Sequence, residues 1–276
     1  KWAIDLWGLS EDEVRRNFPE VYQHLLEKVK PERDSAAARS QTKDAREYAE
    51  RWWTFCKPRQ EMREFLKDLN RAIVTVQTAK HRIFQFLDTK LMPDQKLMVF
   101  GLEDAFSLGV LSSRIHCIWT ERTCGWLGVG NDPVYVKSRS FDPFPFPDCS
   151  YDLKDRIGAV AEELDAHRKA RKAEHPRLTL TQMYNVLEKL RSGEPLDDND
   201  ERIKTEGLVL ILKELHDRLD ALVFESYGWP GDLDEEEILA RLVALNKERA
   251  AEEKAGKVRW LRPEYQIPRF GSEAER

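Results

Sequence analysis

Residues Phe141-Asp142-Pro143-Phe144-Pro145-Phe146-Pro147 admit neither helix nor interior strand, because alternate prolines remove the backbone donors both need. The stretch reads as an extended strap that lays three phenylalanine rings on a surface. It also divides two kinds of sequence. Upstream, from residue 53, lie short β-branched or aromatic runs: Ala72-Ile73-Val74-Thr75-Val76, Ile83-Phe84-Gln85-Phe86-Leu87 and Lys96-Leu97-Met98-Val99-Phe100, each bounded by polar or Pro/Asp segments. Downstream, residues 152–254 carry helical periodicity almost throughout. A domain boundary is therefore expected at the strap.

The remaining elements are set by local signals. Ser10-Glu11-Asp12-Glu13 has the form of a capping box ahead of an apolar run, and Pro19 suits the first turn of a second helix. Residues 31–51 read as further helix, and Pro58 to Leu69 as a short amphipathic one. Ala105 to Thr120 reads as a single helix with Leu108, Leu111, Ile115, Ile118 and Trp119 on one face. A glycine-bearing loop runs from Gly125 to Pro133 and leads into a strand, Val134 to Lys137. Breakers split the C-terminal region into helices over 153–173, 179–192, 198–226 and 233–254, the last capped by Asp232 or Asp234. The aromatic tail Trp260 to Gln266 is expected to dock. The fold class is α+β: a mixed α/β domain followed by a mainly helical one.

Charge narrows the function. The net charge of −5 argues against a chain that binds nucleic acid over its whole surface. Residues 46–150 balance at +2 and residues 151–276 at −6, so any such surface is a local patch in the middle of the chain. No apolar run reaches the roughly 20 residues of a membrane-crossing helix, and no membrane partner is expected. Lys1-Trp2-Ala3-Ile4-Asp5 has no signal-peptide character and no initiator Met, as expected for a fragment of something longer. Cys56, Cys117, Cys124 and Cys149 show no CxxC spacing and read as reduced thiols of a cytoplasmic protein. His116, Cys117 and Cys124 are poorly spaced for a tetrahedral metal site, and buried thiols beside a helix histidine explain them better. His216, Asp217 and Asp220 read as a solvated helix face or a polar helix–helix contact. There is no phosphate loop, no GxSxG and no HExxH. An Asp/Asn-Pro-Pro-aromatic tetrad and a glycine-rich methyl-donor turn after a strand are also missing. On its residues, the chain is not a self-sufficient enzyme.

Several segments, taken in order, carry a resemblance. They are Lys30-Pro31-Glu32-Arg33-Asp34, Trp52-Trp53, Ala79-Lys80-His81-Arg82-Ile83-Phe84, Leu91-Met92-Pro93-Asp94, Leu108-Gly109-Val110-Leu111-Ser112-Ser113-Arg114-Ile115-His116 with Trp119, and the Phe141–Pro147 strap. Beyond the strap come Thr181-Gln182-Met183-Tyr184-Asn185, Leu215-His216-Asp217-Arg218-Leu219-Asp220, Tyr227-Gly228-Trp229, Leu245-Asn246-Lys247-Glu248-Arg249 and Gly256 to Gln266. Together they resemble the target-recognition domain and C-terminal helical region of single-chain type IIG and IIL restriction–modification enzymes. Related bacterial adenine methyltransferases of phage defence share them. The resemblance implies residues 1–51 as a helical linker from an upstream methyltransferase domain, 52–150 as the DNA target-recognition domain and 151–276 as the C-terminal helical domain. It implies sequence-specific recognition of double-stranded DNA for a methyltransferase acting on adenine N6. S-adenosylmethionine is then a cofactor of the parent enzyme and not of these residues.

Such a domain needs cations for phosphates and a few side chains for base edges. The phosphate candidates are Lys80, Arg82, Arg114 and Arg122. For Arg114 the alternative is a brace within the fold, and for Lys80-His81-Arg82 a plain surface turn. The base-readout candidates are Asn131, Asp132, Tyr135, Lys137 and Arg139, with the last three expected on one face of a strand; the alternative is a solvated turn at Asn-Asp-Pro. Arg259, Trp260 and Arg262 are candidates for a minor-groove contact. A module that docks a separate methyltransferase or nuclease partner is the competing reading.

Overall fold

The computed structural model describes residues 3–40, 42–126 and 133–276, and it divides into two compact units, 1–64 and 65–276. The first unit is helical. Ser10 and Glu13 form the expected capping box: Ser10 Oγ accepts from Glu13 N at 3.3 Å and Glu13 Oε2 accepts from Ser10 N at 2.8 Å. They open α1 (Glu11–Asn17), followed by α2 (Pro19–Lys28), α3 (Lys30–Arg39) and α4 (Lys43–Glu50). The core of the unit is small: Leu6, Val14, Leu25 and Trp52. Trp52 and Trp53 belong here and not to the next unit, because Trp52 is buried in this core and Trp53 Nε1 donates to Leu9 O at 2.9 Å. Helices α3 and α4 bury no residue. After them, α5 (Gln60–Leu66) carries the chain from one unit to the next.

The second unit begins with the three expected strands: β1 (Arg71–Val76), β2 (Gln85–Asp88) and β3 (Leu97–Phe100). They form an antiparallel sheet in the order β2-β1-β3, with Ile73 opposite both Phe86 and Phe100. Strand β1 is central and buries Ala72 through Thr75 on both faces, which is why it reads as a continuous apolar run. The single helix expected over 105–120 is two. Ser113 ends α6 (Ala105–Ser112) and caps α7 (Arg114–Thr123), its Oγ accepting from His116 N at 3.5 Å. From Ser107 to Ser112, α6 is buried all round, as a helix apolar on every side must be.

After the strap come α8 (Tyr151–Glu174), α9 (Leu180–Ser192), α10 (Asp198–Glu206), α11 (Val209–Tyr227), α12 (Glu235–Lys254) and α13 (Pro263–Phe270). Asp234 caps α12, and the expected helix over 198–226 breaks at Gly207 and Leu208. Leu208 sits in the left-handed region at φ 44°, a conformation costly for a side chain with a Cβ.

The boundary expected at residue 150 is not a break in packing. One core joins Val110, Ile115, Ile118, Trp119 and Phe144 to Leu153, Ile157, Leu164, Leu212 and Leu219. Gly109 permits the closest approach: a Cβ there would lie 2.6 Å from Ile157 Cγ2 and 3.2 Å from Leu219 Cδ1. The strap is fastened from the helical side, since Tyr227 Oη donates to Pro145 O at 2.9 Å and Asn246 Nδ2 donates to Pro143 O. Deeper in, the fully buried Arg168 of α8 donates to Phe84 O at 2.9 Å and bonds Tyr184, with His216 Nε2 at 3.3 Å. This links three helices to the chain entering β2, and burial keeps His216 well below its ordinary pKa.

Candidate nucleic-acid interface

The candidate surface lies at the C-terminal end of α7. The helix buries Ile115, His116, Ile118, Trp119 and Thr120, so its orientation is set by packing. Trp119 Nε1 donates to Ser140 O at 3.0 Å, and Thr123 Oγ1 donates to Ser140 Oγ at 3.3 Å. These bonds fasten a single π-helical turn, Lys137–Phe141, to the helix end. Arg122 on the helix and Arg139 on the turn are both exposed. Among the described residues, neither guanidinium group makes a hydrogen bond or an ion pair. Two fixed backbones thus carry two guanidinium groups without a partner among the described residues. A guanidinium in this state suits a phosphate or the O6/N7 edge of guanine.

Next to them a two-stranded ribbon, β4 (Gly125–Trp126) with β5 (Pro133–Val134), is tied to the main sheet. Thr78 bridges Val134, and Tyr135 N donates to Gln77 O at 2.8 Å. The ribbon presents Trp126, 65% exposed. Sequence reasoning passed over this residue. Its one signal was a large aromatic next to Gly125 in a glycine-bearing loop, where no neighbour at helical or strand spacing can cover it.

Other candidates are placed differently. Arg82 is engaged inside the fold: it donates to Val76 O, to Thr75 Oγ1 at 3.4 Å and to Pro133 O at 3.2 Å, and lies 5.1 Å from the centre of the Tyr135 ring. Arg114 is a brace. Its backbone N donates to Asp220 Oδ1 at 2.7 Å and Nη1 to Leu233 O at 3.3 Å. Burial pushes the Asp220 carboxyl up to about 6, so the contact between α7 and α11 is polar, as one of the two readings of Asp220 expects. Lys80 is exposed and paired with Glu188 at 2.7 Å and Asn185 at 3.0 Å. Lys137 is exposed and paired with Asp142 at 2.7 Å.

Tyr135 is a correction. The expected strand stops at Val134, so alternation no longer sets Tyr135, Lys137 and Arg139 on one face. Tyr135 is only 1% exposed, packed edge-on against Phe84 and Phe100, with its Oη 3.2 Å from His116 Nε2. It cannot reach a base edge. His116 is held neutral at this contact, pushed down to about 3 by burial and then by Arg82. Asn131 and Asp132 lie outside the described residues.

The tail candidates are also engaged. Arg259 pairs with Glu252 and Asp148, Arg262 with Glu264 and Phe65 O, and Trp260 Nε1 with Glu275. A groove of about 1250 Å3 runs beside them between the strap, α8 and α12. Asp104, Asp142, Asp148, Asp155, Glu252 and Glu253 line it together with Lys154, Arg249, Lys257 and Arg259, and Glu252 and Asp148 are neutralised by ion pairs to those arginines and lysines.

No curated protein matches the chain. A solved structure, that of the type IIL restriction-modification enzyme MmeI in complex with DNA, is similar over 91% of this chain at 19% identity with a TM-score of 0.65. This likeness shows the shared α+β fold, and the chain spans 29% of the length of that enzyme. Residues 5–148 match the family described as MmeI, target recognition domain. The match takes in more than half of the chain, which belongs to the MmeI target recognition domain family.

Proposed function

We propose that the chain is the sequence-specific double-stranded DNA recognition module of an S-adenosylmethionine-dependent adenine-N6 methyltransferase. The catalytic domain lies upstream in a longer bacterial, cytoplasmic protein of restriction–modification or phage defence. The observation that carries the reading is the family match over 5–148. Its chemistry fits the open guanidinium groups of Arg122 and Arg139.

On this reading Arg122 meets phosphate and fixes register, and Arg139 meets a base edge from its stapled turn. Lys80 and Lys137 join them by exchanging exposed carboxylate partners for phosphates. This costs little, because ion pairs between exposed side chains contribute only about 0–1 kcal/mol. Asn131 and Asp132 remain base-readout candidates by sequence. Arg82 and Arg114 support the surface without touching DNA. Methyl transfer and the cofactor are assigned outside this chain, which has neither the Asn/Asp-Pro-Pro-aromatic tetrad nor a methyl-donor turn.

A methylome is the test. The full-length parent is expressed in a methylation-free host and modified adenines are mapped, alongside an Asp132→Ala, Arg139→Ala variant. A recurrent motif that relaxes in the variant is the expected result. A soluble parent that leaves no modified adenine sinks the reading. It then favours the docking module, for which the exposed Leu208, Leu210 and Ile211 at the start of α11 offer an apolar contact.

A further inference from the structure

Seven of the eight tryptophans are described, and six of them are buried or half-buried against an identifiable partner. Trp7 lies under Arg63, Trp52 against Tyr22, and Trp229 is stacked on Tyr227. Trp53, Trp119 and Trp260 each donate their indole N–H. Trp126 is the exception. It is 65% exposed and, among the described residues, its indole has no hydrogen bond, aromatic neighbour or cation over its ring. A large indole left in water forgoes the burial that its area makes favourable, so its position needs a reason outside the local fold.

Two further observations give that reason a chemistry. First, the ribbon is anchored: Trp126 pairs with Pro133, and Thr78 bridges Val134 at the end of β1. An aromatic on such a mount is held for contact at little cost in ordering on binding. Second, Arg122, whose guanidinium has no partner among the described residues, lies four residues before it, and Arg139 is stapled to the same helix end. An aromatic face beside two open guanidinium groups matches the composition of a nucleic-acid strand, a base face flanked by phosphates.

We propose that Trp126 stacks on a base at an opened step of the bound duplex, filling space vacated when a base leaves the stack. The proposal rests on the DNA-recognition reading and deepens it. A perfect duplex offers no free base face in its interior, so the indole gains most where a base is displaced or missing. Arg122 and Arg139 hold the flanking phosphates while the ring occupies the gap. Trp126 is thereby a positioning residue for base displacement and takes no part in methyl transfer.

The test uses the full chain and two fluorescein-labelled duplexes of the same arbitrary sequence, one intact and one with a central abasic site. Binding of wild type, Trp126→Phe and Trp126→Ala is measured at low salt, and thermal melting confirms that the exposed substitution leaves the fold intact. Wild type is expected to prefer the abasic duplex by about tenfold, Trp126→Phe to keep most of that preference, and Trp126→Ala to bind both duplexes alike. Equal binding of both duplexes by wild type overturns the proposal while leaving DNA recognition standing. So does a preference that survives in Trp126→Ala. Failure of wild type to bind either duplex overturns the DNA reading and this proposal with it.

Discussion

Two basic groups in the second unit look alike on paper and differ in the fold. Lys80 and Arg82 sit where the chain approaches β2, and Arg122 and Arg139 sit around the end of α7. In the first group Arg82 satisfies the carbonyls of Val76 and Pro133 and rests on Tyr135, while Lys80 is paired with Glu188. In the second group both guanidinium groups are exposed and unpartnered among the described residues. A cation's availability depends on whether nearby loops leave carbonyl groups for it to satisfy. Where strand ends leave carbonyls for a side chain, as at Val76 and Pro133, an arginine takes them up. At the end of α7 the side chains of Thr123 and Cys124 take up the carbonyls of Trp119 and Glu121, and Arg122 is left without a partner among the described residues.

The largest test of this contrast is Arg82→Ala. Removing three hydrogen-bond contacts and a ring contact from a mostly buried site is expected to cost about 2–4 kcal/mol in chemical denaturation. Unchanged stability with weakened DNA binding would move Arg82 into the other group.

Next comes the brace at Arg114. Asp220, its partner, has a carboxyl pushed by burial from 3.8 up to about 6. The folded state therefore holds its proton more tightly than the unfolded state between these values. Stability from this group falls as pH rises from about 4 to about 6, and the loss persists above. Asp220→Asn, which keeps an acceptor for Arg114 N, is expected to flatten that slope by about 1–3 kcal/mol, read from denaturation midpoints across pH. A variant whose pH profile overlays wild type removes Asp220 from the account.

Arg139→Ala is expected to leave stability within about 0.5 kcal/mol of wild type. It should weaken binding to the parent's own site by about tenfold and relax one position of the recognised word. Arg122→Ala should instead lower the salt dependence by about one unit with no change of word. If the two variants exchange these phenotypes, the assignment of phosphate and base contacts is reversed. Smallest is Lys80→Ala, which breaks an exposed ion pair and is expected to shift stability by under about 1 kcal/mol.

The elements most legible in the sequence were those set by local chemistry. The Ser10 and Asp234 caps, the three β runs and the proline strap need only neighbours within a few residues. The breaks at Ser113 and Gly207 were harder, because serine and glycine are tolerated inside apolar helical patterns and declare a break only when the next helix packs in another direction. Tyr135 misled for a related reason. Its alternation with Lys137 and Arg139 is a true strand pattern, but the turn that Trp119 and Thr123 fasten through Ser140 ends the strand first. Of the candidate site, the sequence singled out Arg122 and Arg139, which the fold leaves exposed, and Arg82 and Tyr135, which it engages inside. Which arginines were open depended on carbonyls brought close by the fold, and a list of residues does not carry that.

Phe144 of the strap lies in a core that joins α6 and α7 before it to the helices after it, which supply most of its members. A chain ending near residue 150 would strand Phe144 and the apolar face of α7 in water, where a surface of that kind draws copies of the chain together. The part of the chain that holds together as one packed body is therefore 65–276, and a piece cut at the strap gives up the packing that sets the direction of α7.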